Sequence, residues 1–153
     1  YQRLETGTYR TQLQAKIDDS INRKNVQFLQ GDAGKLHLTP LAELHRPFDA
    51  ILLGNLLCRL SEPAACLRQF VDSDRFLAAG GILVISSPNT WMEQFTAKEK
   101  FFDGETGEQT LGRLASVLKG FELLHEEDFP FMIREHRRKY EYIVAQISVW
   151  LKK

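Results

Sequence analysis

The sequence has few cysteines, no excess of either charge and no long apolar run, and each of these shortages excludes a class of protein. Cys58 and Cys66 are the two cysteines, and their spacing fits neither a zinc site nor a redox Cys-x-x-Cys pair. The 20 basic and 20 acidic residues cancel, so no overall field draws in nucleic acid or an anionic membrane. No apolar run approaches the roughly 20 residues of a membrane span, and the first residues carry no signal-peptide pattern. We therefore expect a soluble, cytoplasmic protein with reduced thiols and neither nucleic acid nor membrane as a partner.

Several catalytic signatures are missing as well. The four histidines show no metal-ligand spacing, so the sequence predicts no metal site. It contains no Gly-x-Ser-x-Gly elbow, no phosphate-binding glycine loop and no Cys/His nucleophile pair. A chain of 153 residues with 43% hydrophobic residues is large enough for one compact core. By elimination, a small-molecule substrate is the expected partner.

The apolar pattern alternates between segments of strand and helix character. Phe48–Asn55 is an apolar run ending in glycine and asparagine, which predicts a central, buried parallel strand. A helix is predicted from an N-cap at Ser61 to Gly80 and Gly81. The order of elements predicts an α/β layer fold with a mostly parallel sheet and a terminal hairpin-like pair. The other predicted elements are strands at Tyr9–Ile17, Val26–Gln30, "GILVISS", Phe121–Glu126 and Tyr142–Leu151, and a helix at Gln109–Lys119.

Polar residues follow two of these strands, where open α/β sheets bind their ligands. In "QGDA", Gly31 precedes Asp32, whose carboxylate can accept a hydrogen bond from an exocyclic amine such as that of adenine. Gly-Asp is equally common in structural turns. After the Phe48–Asn55 run, glycine permits close backbone approach and Asn55 offers both a donor and an acceptor. The alternative for Asn55 is a cap of the next turn.

Two further segments are candidates for a substrate site. "SSPNTW" brings hydroxyls, an amide and the Trp91 ring close together, which suits a flat heteroaromatic substrate, although a proline-bearing turn with a buried tryptophan explains it nearly as well. "REHRRKY", beginning at Arg134, holds four Arg/Lys residues and a histidine. Such a run is commonly a solvated face, and the alternative is that an arginine fork binds a substrate carboxylate.

The motifs in their order resemble a known family. "VQFLQGDA", "FDAILLGNLLCRL", "LAAGGILVISSPN" and the closing "GFELL" strand pair resemble the later motifs of class I S-adenosylmethionine methyltransferases. "NLLCRLSEPAACL", "SSPNTWMEQFTAKEKFFDG" and "DFPFMIREHRRKYEYIVAQISVW" resemble the C-terminal methyltransferase module of ovothiol-biosynthesis proteins, the mercaptohistidine N-methyltransferases. The resemblance runs from about Leu4 onward.

The resemblance implies a fold, a cofactor and a set of site residues. The fold would be a doubly wound, mostly parallel, Rossmann-like sheet with strand order 3-2-1-4-5-7-6, in which residues 1–153 form the C-terminal part of a single methyltransferase domain. The cofactor would be S-adenosylmethionine, and its methyl group would pass to an imidazole nitrogen of a thiol-bearing histidine. The cofactor would be held by Gly31, Asp32, Ala33, Asn55 and Leu56, and the substrate by Arg59, Ser87, Asn89, Trp91 and Arg134, with Glu135 and His136 as catalytic candidates.

The same resemblance predicts that the site is incomplete. Domains of this family begin with a strand and a glycine-rich turn that cradle the cofactor, and neither pattern occurs in this sequence. We therefore expect a sheet that is incomplete on its N-terminal side, and an isolated chain without activity. An upstream segment of the same protein or a second copy would complete the sheet. The alternatives are a methyltransferase for another small molecule and a non-catalytic, methyltransferase-like subunit or interaction module.

Overall fold

The computed structural model describes residues 1–43, 45–102 and 106–153, which form two compact units. The smaller unit contains residues 1–29 and 130–143, and the larger contains residues 30–129 and 144–153. The strands are β1 (Gln2–Thr6), β2 (Tyr9–Gln12), β3 (Phe48–Gly54), β4 (Leu77–Ser87), β5 (Phe121–His136) and β6 (Lys139–Lys152). The α-helices are α1 (Pro63–Val71) and α2 (Gly107–Val117). Short 3-10 helices lie at Ala33–Leu38, Pro40–Glu43, Leu57–Arg59 and Lys98–Lys100.

A four-stranded mixed sheet with the order β3-β4-β6-β5 is the framework of the larger unit. β3 runs parallel to β4, with Gly54 opposite Ser86, and β6 runs antiparallel to β4, with Leu151 opposite Ile82. This mixed α/β arrangement is compatible with a methyltransferase-like fold, and its order matches the 4-5-7-6 portion of the expected sheet. The sheet is mixed, however, where a mostly parallel one was expected, and the doubly wound arrangement is not confirmed.

One hydrophobic core holds the larger unit together. It combines side chains of β3, β4, β6 and both helices, including Leu67, Phe70, Leu83, Ile85, Leu114 and Trp150. α1 starts at Pro63, because proline has no N–H to leave unpaired in the first turn. α2 starts after Thr106, whose side-chain hydroxyl accepts a hydrogen bond from the backbone N–H of Gln109 at 3.2 Å. The predicted helix at Gln109–Lys119 is therefore confirmed, with its start and its end each two residues earlier than predicted.

The predicted boundaries of α1 are wrong at both ends. Ser61 is not its N-cap, because Glu62 occupies that position without a side-chain hydrogen bond. The helix also ends at Val71, well before Gly80 and Gly81. Both glycines belong to β4, where Gly80 has a φ of +76° and a Cβ on Gly81 would come within 2.8 Å of the Ala78 carbonyl oxygen. Both glycines thus serve a strand, Gly80 through its positive φ and Gly81 because neighbouring atoms leave no space for a side chain.

Two strand predictions are corrected and a third is modified. Val26–Gln30 contains no strand, and Phe28 is 94% exposed. Of Tyr9–Ile17 only the first four residues form a strand, which pairs with β1. β3 is confirmed as a strand but lies at an edge of the sheet, so it is largely exposed and not the most buried strand. An apolar run forms a buried strand only where neighbouring elements cover it.

The smaller unit contains the antiparallel β1–β2 pair. Gly7, with a φ of +53°, lies in the tight turn that joins the two strands. Glu5 is buried in this unit, and its carboxylate contacts Arg3 at 2.7 Å and Arg134 at 3.6 Å. Two guanidinium groups thus compensate one buried carboxylate, which orders the side chains around it.

Candidate functional site

The carboxyl ends of the two parallel strands, β3 and β4, are joined by hydrogen bonds of Asn55. Its backbone N–H donates to the Ser86 carbonyl oxygen at 2.8 Å, and its Oδ1 accepts from the Ser86 hydroxyl at 2.9 Å. Asn55 has a φ of +51°, a left-handed conformation that asparagine adopts more readily than most residues. The asparagine predicted at this strand end therefore bridges the two strands, and its Nδ2 group remains a potential donor.

A second asparagine closes the end of β4. Asn89 also has a positive φ, +53°, and its backbone N–H donates to the buried Ser87 hydroxyl at 3.1 Å. Its Nδ2 donates to Gln146 Oε1, on β6, at 3.2 Å. Non-glycine residues with positive φ are uncommon and often mark functional sites. Two of them at adjacent strand ends make this edge of the sheet the leading candidate site.

Arg59 lies beside these strand ends. Its Nη1 donates to the Thr90 carbonyl oxygen at 2.8 Å and to the Cys58 carbonyl oxygen at 3.2 Å. Its guanidinium lies 5.3 Å from the centre of the Phe95 ring, a cation–π distance. Arg59 therefore braces the loop after β3 against the loop after β4, which keeps a positive charge near both strand ends.

Trp91 follows directly and carries an unusual polar atom. Its ring stacks on Phe101 with centroids 5.3 Å apart and meets Phe102 edge-on at 6.0 Å. Its indole Nε1–H is buried and has no acceptor. A buried donor without a partner costs about 1–3 kcal/mol. A ligand oxygen could meet this N–H only if the surrounding side chains moved, because the atom is buried.

Gly31 and Asp32 lie in a structural turn. Asp32 Oδ1 accepts a hydrogen bond from Gly34 N–H at 2.8 Å and so caps the 3-10 helix that follows. At Gly31 a Cβ would lie 2.8 Å from Thr39 Cγ2, which accounts for the glycine by close approach within the chain. The structural interpretation of this motif thus holds. The second carboxylate oxygen of Asp32 still offers acceptor capacity for a ligand.

An apolar pocket of about 210 Å³ brings Ala33 and Leu56 together. These are two of the five residues predicted to hold a cofactor. The pocket is lined by Ala33, Leu36, Leu41, Phe48, Ile51, Leu53, Leu56, Cys66, Phe70 and Phe76. A site with apolar walls suits a flat, weakly polar group such as a nucleobase face.

The three remaining predicted residues belong to the smaller unit. Arg134 contacts Glu5 and also donates to the His136 carbonyl oxygen at 3.4 Å. Glu135 pairs with Lys139 at 2.7 Å, and the hydrogen bond from that lysine lowers the pKa of the glutamate. His136 Nδ1 accepts from Arg138 N–H at 3.2 Å. The Glu135 carboxylate is therefore a weaker proton acceptor than an ordinary glutamate. The placement of these three residues at a substrate pocket stays a prediction.

Within residues 1–43, 45–102 and 106–153, no three His, Cys, Asp or Glu side chains gather as metal ligands. In the same ranges, no helix has the length and apolar character needed to cross a bilayer.

The chain resembles solved structures in fold. No protein-family model matches it, and no curated protein sequence does. The solved structure described as "Conversion of a Disulfide Bond into a Thioacetal Group during Echinomycin Biosynthesis" matches with a TM-score of 0.50 and 12% sequence identity. The match covers 80% of this chain and 54% of the other, so this chain spans about half the length of that protein. At this identity the match shows a similar fold.

Two glutamines at the site were not predicted from the sequence. Gln146 supports Asn89, and Gln69 on α1 donates from Nε2 to the Ala33 carbonyl oxygen at 2.8 Å. Gln146 and Ser148 are the polar positions within the otherwise apolar "YIVAQISVW", and a polar residue at this place in a strand was a usable signal. Gln69 gave no such signal, since a polar residue on an amphipathic helix is ordinarily solvated.

We expect Cys66 to resist modification in the folded chain. Burial, with a smaller contribution from the Asp32 charge, raises the pKa of the Cys66 thiol to about 11. The thiol therefore stays protonated and unreactive at pH 8, where thiol reagents label exposed cysteines. Mass spectrometry after brief alkylation, with and without denaturant, measures this protection. Rapid labelling of native Cys66 would contradict it.

The same shift predicts the direction of a pH effect on stability. Because the folded pKa lies above the unfolded value of about 9, the contribution of this thiol is fully present below pH 9 and is lost as the pH rises towards 11. We expect a Cys66→Ala variant to lose less stability than the wild type over that interval. Urea unfolding at pH 8 and pH 10.5 tests the difference.

Proposed function

We propose that this chain is the C-terminal part of a methyltransferase that transfers a methyl group from S-adenosylmethionine to a small molecule. The observation that carries the proposal is the β3-β4-β6-β5 order combined with polar residues at the carboxyl ends of the parallel pair, Asn55 and Ser86. This is the position at which open α/β sheets bind ligands. The family motifs lie on these same elements, and the structural match is compatible with a methyltransferase-like fold.

The residues of the larger unit fit part of the cofactor. The apolar pocket beside Ala33 and Leu56 suits the faces of an adenine ring, and the neighbouring Asp32 carboxylate suits its exocyclic amine. Asn55, at the end of β3, would contact the methionine portion. The cofactor would supply an electrophilic methyl group on a positively charged sulfur. Residues for its ribose are not apparent in this sequence, which agrees with a chain that carries only part of the site.

The finer proposal concerns the methyl acceptor, an imidazole nitrogen of a thiol-bearing histidine as in ovothiol biosynthesis. Ser87 and Asn89 would offer polar contacts to such a ring, and Trp91 would offer an aromatic face. A histidine acceptor also carries a carboxylate, and Arg59 and Arg134 are the candidates to bind it. The forked N–H groups of a guanidinium match the two oxygens of a carboxylate. The assignments of Arg59, Ser87, Asn89 and Trp91 rest on the family resemblance together with their positions at or after the ends of β3 and β4. The assignment of Arg134 rests on the family resemblance alone.

Catalysis in this proposal comes from positioning. The cofactor, held by Asp32 and Asn55, would supply its methyl group to a neutral ring nitrogen of the acceptor and would keep the electron pair of the broken carbon–sulfur bond. Glu135, His136 or solvent would accept the N–H proton of the methylated ring. Holding the two reactants in line and free of water supplies most of the rate, so a strong general base is not required.

Replacing Asp32 by alanine tests the cofactor side in a protein that also includes the preceding segment. We expect binding of S-adenosylmethionine to weaken by about 1–3 kcal/mol, because one hydrogen bond to a charged acceptor is lost. Isothermal titration calorimetry measures the change. Asp19→Ala is the control, since that side chain is fully exposed in the smaller unit. Unchanged affinity in the Asp32 variant would remove this residue from the site.

A methyl-transfer assay tests the proposed acceptor. Transfer of a labelled methyl group to mercaptohistidine but not to histidine would support a thiol-bearing histidine as the acceptor.

A non-catalytic, methyltransferase-like subunit is the second candidate. The observation that favours it is the lack of a glycine-rich cofactor turn anywhere in the sequence. The two functions differ in one measurement. If the protein with its preceding segment neither binds S-adenosylmethionine nor transfers a methyl group, the subunit function replaces the enzymatic one.

A further inference from the structure

Gln69 on α1 joins the helix to the segment that carries Asp32. Its Oε1 accepts a hydrogen bond from Leu36 N–H at 2.8 Å, and its Nε2 donates to the Ala33 carbonyl oxygen at 2.8 Å. One side-chain amide thus satisfies a backbone donor and a backbone acceptor more than 30 residues earlier. We infer that Gln69 is a positioning residue that fixes the Asp32–Leu36 turn against α1 and thereby sets the wall of the apolar pocket.

The turn depends on this contact because it has little regular structure of its own. It is a 3-10 helix interrupted at Lys35, whose φ of −140° is not helical. Its local support comes from the Asp32 cap and from the Thr39 hydroxyl, which donates to the Leu36 carbonyl oxygen at 2.7 Å. Short 3-10 segments have weak internal hydrogen bonds. A contact from outside therefore decides where such a turn lies.

Core packing fixes the position of α1, the helix that carries Gln69. Cys66, Leu67 and Phe70 on this helix are 0–2% exposed and belong to the main hydrophobic core. Gln69 lies between Leu67 and Phe70 along the helix, so its backbone is fixed by the packing of its neighbours. A half-buried side chain on a fixed backbone loses few further conformations when it forms hydrogen bonds, which favours the contact.

The two hydrogen bonds require an amide group. A glutamate at position 69 could still accept from Leu36 N–H, but it would present an oxygen to the Ala33 carbonyl oxygen in place of a donor. A leucine would remove both bonds and leave two backbone groups unsatisfied. Gln69→Glu thus removes one hydrogen bond at nearly constant side-chain volume, and Gln69→Leu removes both hydrogen bonds. These two variants separate the effect of the donor from that of the whole amide.

Hydrogen exchange of this 153-residue chain tests the contact. We expect faster exchange of peptides within residues 30–43 in Gln69→Glu and Gln69→Leu, with unchanged exchange in peptides of α1 and β4. Gln14→Glu is the matched control, because it makes the same chemical change at an exposed position of the smaller unit. A gain confined to residues 30–43 supports the inference. Unchanged exchange there, or a gain spread equally over α1 and β4, overturns it.

The second measurement links the contact to ligand binding and rests on the proposed function. In a protein that includes the preceding segment, Gln69→Glu should raise the KM for S-adenosylmethionine about tenfold and leave kcat within about twofold. The reason is that the turn contacts the adenine end, away from the reacting methyl group. An unchanged KM, or an equal loss in kcat, would contradict the link. If the wild type uses no S-adenosylmethionine, the proposed function fails, and the exchange experiment still decides the contact.

Discussion

Replacing Lys152 by methionine is expected to lower the free energy of unfolding by about 2–4 kcal/mol, because two backbone carbonyl oxygens and one carboxylate lose their hydrogen-bond donor. The Lys152 side chain is 7% exposed and lies at the end of β6. Its Nζ donates to the Ser73 carbonyl oxygen at 2.7 Å and to the Leu77 carbonyl oxygen at 3.2 Å, and it pairs with Asp74 at 2.8 Å. All three donors of the ammonium group are therefore used, which is what permits its burial.

The neighbouring lysine is a control with the same chemistry and different burial. Lys153 pairs with Glu122 at 2.9 Å, but its side chain is 63% exposed. Exposed pairs contribute about 0–1 kcal/mol, so Lys153→Met should change stability little. Urea denaturation followed by tryptophan fluorescence measures both variants, since Trp150 lies in the core near this end of β6. Equal effects of the two substitutions would show that burial of Lys152 contributes nothing.

A third variant assigns the source of the effect. Asp74 is 67% exposed, so after Asp74→Asn the amide remains solvated and the two carbonyl contacts of Lys152 persist. We attribute most of the expected loss to the carbonyl contacts, which join the segment before β4 to the end of β6. Asp74→Asn should then cost less than about 1 kcal/mol.

Elements whose signals are local could be predicted from the sequence. The strands predicted at Phe121–Glu126 and Tyr142–Leu151 form as parts of the longer β5 and β6, which also include residues 127–136 and 139–141, where no strand was predicted. α2 has a capping threonine before an amphipathic run. Such features depend on residues close in the chain. Val26–Gln30 carries the same apolar signal as a strand, yet strand formation also needs a partner for its backbone groups. The exposure of β3 was unpredictable for the same reason, because burial depends on neighbours beyond its own sequence.

The candidate site divides in a similar way. That Asn55, Ser87 and Asn89 lie at strand ends could be predicted, and the structure places them at adjacent strand ends with two positive φ angles. Their contact with a ligand stays a prediction. Gln69 and Lys152 could not be found, because polar residues in an amphipathic element look solvated until the partner segment is known. For Glu135 the sequence indicated a catalytic carboxylate, whereas the structure provides a lysine partner within the smaller unit.

The 153-residue chain alone is expected to bind S-adenosylmethionine with a dissociation constant weaker than about 1 mM. The expected arrangement had a strand at Val26–Gln30 separated from β3 by two absent strands, about 14 Å at a strand spacing of 4.8 Å. That strand does not form, and within the described ranges no strand pairs with the outer edge of β3. Leu52 and Phe48 on β3 are accordingly 67% and 41% exposed.

An open β3 edge affects the cofactor site directly. Strand ends hold ligands because adjacent strands fix their loops, and Asn55 here has a fixed neighbour on the β4 side alone. The family resemblance places the strand with the glycine-rich turn along the other side. Without it, the pocket beside Ala33 and Leu56 would contact at most one end of the cofactor. Contacts to a single end of a flexible ligand rarely compensate for the entropy lost on binding.

Equilibrium dialysis with labelled S-adenosylmethionine decides the matter. The chain is measured at two concentrations, because a second copy that completed the sheet would make binding rise with chain concentration. A protein that includes the preceding segment serves as the positive control and should bind in the micromolar range, about −8 kcal/mol. Micromolar binding by the 153-residue chain at low concentration would mean that the glycine-rich turn is dispensable. In that case Asn55, Asp32 and the apolar pocket would have to form a complete cofactor site by themselves.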